Sequence, residues 1–171
     1  MLAVEPGNAS LAAVITGPDL ARPLSSAEFG LVLRALGQYG VLCFTQQSID
    51  AAQLRSFSSR FGELHRVLGA SARVEPGMPE VSILSNIVEN GRYIGIPDAG
   101  QDWHTDMTYN SVIGFVNVLV AQKVPMRDGA PLGATEFANT QAAYERLCVE
   151  HKKRLAHATA THDWNNFHEL M

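Results

Sequence analysis

The densest cluster of reactive side chains in this sequence is Trp103-His104-Thr105-Asp106, which follows a Gly-containing stretch and precedes a long apolar run. On an extended backbone residues i and i+2 project to one face, so His104 and Asp106 can present an imidazole nitrogen and a carboxylate oxygen to a single point. Those donors suit a borderline divalent metal. With a second histidine from a distant strand they would make the two-histidine, one-carboxylate arrangement of non-haem Fe(II) oxygenases, which leaves three facing positions open for substrate chemistry. His65, His151, His157, His162 and His168 are the other imidazoles available. A His-x-Asp triplet alone also fits any exposed strand end. A zinc hydrolase would need three protein ligands and a water, and only two ligands stand out here.

The flanking sequence sets out the elements that must carry this cluster. Ser25 with Glu28 forms a capping box, and Phe29, Val32, Leu33 and Leu36 recur at helical spacing until Gly37 and Gly40 stop the helix. Val41 to Thr45 reads as a short strand. Asp50 with Gln53 opens a second helix that carries Leu54, Phe57 and Phe61 to a stop at Gly62. Arg66 to Pro79 has no periodicity and reads as a loop, and Val81 to Ser85 as a strand. Asn90-Gly91, between Ile87-Val88 and Tyr93-Ile94, is the dipeptide that a two-residue hairpin prefers. Val112 to Val124 is expected to be a buried strand, with Ala134 to Ala138 and Ala158 to His162 as two more. A helix is expected from Thr140 through Ala143, Tyr144 and Leu147, and His151 to Arg154 reads as its solvated basic face.

With 171 residues the chain has room for one domain, spanning residues 1–171, with one hydrophobic core. Hydrophobic residues make up 46% and charged residues 18%, which excludes a disordered or fibrous chain. Thirteen basic against seventeen acidic residues give a net charge of −4, which argues against a nucleic-acid or anionic-membrane partner and for a small molecule. The longest largely apolar run, Val112 to Ala121, is too short to span a bilayer, and Asn117 interrupts it. Met1 to Pro6 lacks the basic start of a signal peptide, so a cytoplasmic location is expected. Cys43 and Cys148 stand too far apart in sequence for a CxxC pair and are read as free, buried thiols.

Trp103-His-Thr-Asp106 followed by Met107-Thr-Tyr109 resembles the metal motif of the taurine dioxygenase (TauD/TfdA) family. The resemblance extends through Ile15 to Leu24, Val41 to Phe44, Phe61-Gly-Glu-Leu-His65, Gly133-Ala-Thr-Glu-Phe137 and Ala142 to Glu145. It implies an α+β fold, a double-stranded β-helix or jelly roll flanked by helices. It also implies an Fe(II)- and 2-oxoglutarate-dependent dioxygenase, which uses O₂ to hydroxylate a small organic substrate while 2-oxoglutarate becomes succinate and CO₂. His104 and Asp106 would hold the metal. Thr135, after the Gly-containing turn, would contact 2-oxoglutarate through its hydroxyl, although the family usually has an acidic or polar residue where Ala134 sits. Met107 and His65 would line the substrate side, with Trp103 as a packing anchor beside them.

Two further parts of the family's site, a second histidine ligand and the arginine that clamps 2-oxoglutarate, lie in the family's C-terminal half and have no counterpart before Met171. The expectation is therefore the N-terminal part of a longer enzyme, its jelly roll incomplete at the C-terminus, with exposed edges that favour self-association. The alternative is an inactive fragment serving only as a folding or association module. The taurine enzyme holds its sulfonate with a His and a Tyr at positions that fall near Val67 and Ala70 here. Neither side chain can do so, which disfavours taurine and leaves a small organic or aryloxy acid.

Overall fold

The computed structural model describes residues 2–67, 72–100 and 102–163. It is a mixed α and β chain with small sheets, divided into two compact units, residues 1–48 with 120–160 and residues 49–119 with 161–171. No helix among the described residues is long and apolar enough to cross a membrane.

In the first unit β1 (Ala3–Pro6) pairs antiparallel with β2 (Ala13–Thr16), which pairs in parallel with β3 (Leu42–Phe44). The crossover between the parallel strands is α1 (Ser26–Tyr39), and its capping box has both reciprocal bonds, Ser25 Oγ accepting from the Glu28 amide and Glu28 accepting from the Ser25 amide. The helix continues through Gly37 and ends at Gly40, whose φ of 70° suits glycine. Its buried face is Phe29, Val32 and Ala35, whereas Leu33 is exposed, because the stripe that meets the sheet is centred on Val32. Ile15 and Ala13 of β2, with Leu20 and Leu24 after it, complete this core. The pattern of β1 and β2 is too short to stand out in the sequence, and neither strand is among the elements read from it.

The rest of the first unit departs from the sequence expectations. β8 (Met126–Arg127) pairs with β9 (Ala130–Pro131) around Asp128-Gly129, both at positive φ, a hairpin signal that follows the apolar run. Residues 134–138 are not a strand. The helical stretch is two helices, α3 (Thr140–Glu145), capped by Asn139, and α4 (Val149–Leu155), with the basic residues exposed except for a half-buried Lys152, which bonds Glu145. Both cysteines are free, as expected, but exposed rather than buried, since Cys43 sits on the outer face of β3.

In the second unit Asp50 caps α2 (Ala51–Ser58) with the expected box, and a 3-10 turn (Ser59–Phe61) carries the chain to Gly62. Phe57 is buried and meets Phe61 edge to face, with centroids 5.4 Å apart. The segment expected as a loop instead contains the antiparallel pair β4 (Val74–Glu75) and β5 (Met78–Ser82), joined at Pro76-Gly77, the turn dipeptide that its lack of periodicity concealed. Hence β5 begins three residues before the expected strand and ends at Ser82. Asn90-Gly91 does turn the hairpin of β6 (Val88–Glu89) and β7 (Arg92–Tyr93).

The largest departure is residues 112–124, expected to be a buried strand. They form no strand, and Val112, Ile113, Phe115, Leu119 and Val124 are exposed. Apolar side chains make a strand only when a neighbouring strand takes up the backbone groups in a ladder, and this run joins no ladder among the described residues. Residues 158–162 likewise lack a ladder partner and are not a strand.

Candidate metal centre

The ligand cluster lies in the second unit, on the segment that leaves the β6–β7 hairpin. Residues 103–105 carry no regular structure and residues 106–109 form a turn, closed by the Asn110 amide donating to the Met107 carbonyl. His104 and Asp106 therefore meet through a turn rather than along a strand. His104 Nε2 lies 3.0 Å from Asp106 Oδ1. Two ligands each about 2.1 Å from one ion, at right angles, stand about 3.0 Å apart, so the donor pair matches the spacing of a shared metal.

Each donor is oriented by a further group. His104 Nδ1 is 2.6 Å from the Asp102 carbonyl oxygen, which can only accept, so Nδ1 is the donor there and Nε2 is the nitrogen turned towards Asp106. Asp106 accepts at Oδ2 from the amide of Asn117, which leaves Oδ1 towards His104. At that separation either an imidazole N–H or a shared cation can join Nε2 to Oδ1. Ligands held by outer hydrogen bonds in this way are the usual construction of a protein metal site.

Met107, with φ of 59°, follows Asp106 at the turn, and its side chain packs over Gly114, where an added Cβ would stand 3.0 Å from the sulfur. Thr108 donates to the Thr105 carbonyl and lies 3.0 Å from Nδ1 of His162. A groove of about 940 Å³ opens beside the turn, and Phe61, Leu64, His65, Asp106, Met107 and Phe115 are among its walls. The two residues expected on the substrate side, Met107 and His65, thus share one groove with Asp106. Val67 lines it as well, and Ala70 lies outside the described residues.

Thr135 belongs to the first unit, exposed in the segment between β9 and α3. Trp103 is 69% exposed, so it is not the packing anchor expected, because no described side chain covers it at the open start of the turn. No group of three potential ligands occurs among the described residues, and His168 lies outside them. Two functional contacts were not legible beforehand. The Asp102 carbonyl has no side-chain signature, and Asn117 showed itself only as a polar interruption of an apolar run.

Residues 3–169 match the family model described as taurine catabolism dioxygenase TauD, TfdA family. The chain belongs to the TauD/TfdA family. It is 32% identical over 149 residues to pentalenolactone F synthase of Streptomyces arenae, covering 86% of this chain and 48% of that protein. It is 31% identical over 159 residues to an (S)-phenoxypropionate/alpha-ketoglutarate dioxygenase of Sphingobium herbicidovorans, covering 93% and 52%. A taurine dioxygenase structure from Burkholderia xenovorans is similar over 52% of this chain and 31% of its own, at 31% identity and a TM-score of 0.44. The chain spans about half the length of the curated relatives it matches.

Proposed function

We propose that this TauD/TfdA-family chain carries part of the active site of an Fe(II)- and 2-oxoglutarate-dependent dioxygenase that hydroxylates a small organic acid. The observation that carries the reading is the 3.0 Å approach of His104 Nε2 to Asp106 Oδ1, with the second polar atom of each side chain engaged elsewhere. The donor set, one neutral imidazole and one carboxylate, fits Fe(II). When bound, iron with 2-oxoglutarate and O₂ supplies the oxidation, converting 2-oxoglutarate to succinate and CO₂ while the substrate gains a hydroxyl group.

The chain's own residues bind and orient. The Asp102 carbonyl accepts from His104 Nδ1 and so holds the ring with Nε2 towards Asp106. Family membership supports a jelly-roll architecture, and the resemblance of Gly133-Ala-Thr135 to the family's turn supports Thr135 as a hydroxyl donor to 2-oxoglutarate. The apolar wall of Phe61, Leu64, Met107 and Phe115 favours a substrate with a hydrocarbon or aryl body and limits water beside it. Val67, in place of a group able to hold a sulfonate, speaks against taurine, and the phenoxypropionate relative supports an aryloxy or comparable acid. Free Cys43 and Cys148 are in keeping with a reducing cytoplasm, which completes the proposal.

Anaerobic titration with Fe(II) and 2-oxoglutarate tests it. A weak metal-to-ligand charge-transfer band in the visible is expected, lost in His104→Ala and in Asp106→Ala with the circular dichroism spectrum unchanged. Iron affinity that is the same in wild type and both variants overturns the assignment.

A further inference from the structure

Asn117 is the one polar side chain in Val112 to Leu119, a run of otherwise apolar residues and one glycine. Composition alone offers no reason for an amide there, and an exposed asparagine would by default point into water. Its Nδ2 instead donates to Oδ2 of Asp106, eleven residues earlier, while Oδ1 of the same carboxylate faces His104.

We propose that Asn117 is a positioning residue for the metal ligand Asp106, an inference that rests on reading His104 and Asp106 as ligands. A carboxylate on a single-bonded stem can rotate and can offer either oxygen or both to a cation. The amide removes that freedom. An N–H donor occupying Oδ2 leaves Oδ1 as the oxygen available, sets the plane of the carboxylate and lowers the ordering cost when the ion binds. It acts on Asp106 as the Asp102 carbonyl acts on His104, so the two ligands are each held by one outer hydrogen bond. Asn117 stands on the apolar run and Asp106 at the turn, so the bond also ties the run to the ligand segment.

The test uses the 171-residue chain and Mn(II), with free Mn(II) followed by electron paramagnetic resonance and folding followed by thermal melts. Asn117→Leu keeps the size of the side chain, suits an apolar run and removes the donor. It is expected to weaken Mn(II) binding by roughly tenfold to a hundredfold, the range for loss of an outer-shell partner, with an unchanged melt. Asn117→Gln keeps the amide and is expected to recover part of that loss, which a role in packing alone would not produce. Should the leucine variant fail to fold, Asn117→Ser, polar but too short to reach Oδ2, replaces it. Equal Mn(II) affinity in wild type and Asp106→Ala defeats the metal reading and the proposal together. If Asp106→Ala binds more weakly while Asn117→Leu matches wild type, or if Asn117→Gln is as weak as Asn117→Leu, only the role of Asn117 is overturned.

Discussion

Residues 13–35 and residues 112–124 are both rich in large apolar side chains, yet the first set is buried and the second is open. Ala13, Ile15, Leu20, Leu24, Phe29, Val32 and Ala35 form the core of the first unit, whereas Val112, Ile113, Phe115, Leu119 and Val124 are exposed. The difference is one of partners. β2 has a strand on each side, so its backbone groups are paired while Ala13 and Ile15 are buried. The later run is the more apolar of the two, yet it joins no ladder among the described residues. Burial follows hydrogen-bond pairing here, because unpaired donors taken out of water cost more than the apolar contact returns.

Truncating the core should give the largest effect. Ile15 is fully buried and pairs with Val4 and Phe44, so Ile15→Ala should cost about 2–5 kcal/mol, read as a lower urea midpoint at constant slope. A loss below about 1 kcal/mol would place Ile15 outside any well-packed core and erase the contrast.

An exposed position can still matter for binding, and Thr135 sharpens that distinction. Thr135→Val keeps the volume and removes the hydroxyl, so it should leave stability unchanged and weaken 2-oxoglutarate binding by about 1.5–3 kcal/mol in the complete Mn-loaded enzyme. Calorimetric titration of 2-oxoglutarate decides it. Equal affinities would leave Thr135 as an ordinary β-branched residue.

The smallest overall effect belongs to the open run. Phe115, 71% exposed, should tolerate Phe115→Ser within about 0.5 kcal/mol, while the apolar patch it leaves makes the chain less prone to associate. Sedimentation velocity of wild type and variant at one concentration measures this. A large drop in melting temperature would show that the run is packed, and unchanged sedimentation would show that it drives no association.

The metal centre divides along the same line. His104 and Asp106 were legible as candidate ligands because such chemistry lives in residue type and both sit on one short segment, so a turn serves as well as the expected strand to bring them together. Asn117 was visible only as an anomaly, and its bond to Asp106 depends on where an eleven-residue excursion returns. Capping boxes at Ser25 and Asp50 and the Asn90-Gly91 turn were likewise local, each fixed by atoms within three residues of one another.

By itself, then, the sequence determined the caps, the hairpin at Asn90-Gly91, the short spacing that brings His104 beside Asp106 and membership of the TauD/TfdA family, all of which rest on side-chain chemistry at short range. Tertiary structure alone decided which apolar runs became strands, that Cys43 and Trp103 face outward, and that His65 and Met107 share a groove with Asp106. Those outcomes depend on which distant segments meet. Hydrophobicity states that a side chain gains from burial, and only a paired backbone neighbour makes the burial possible.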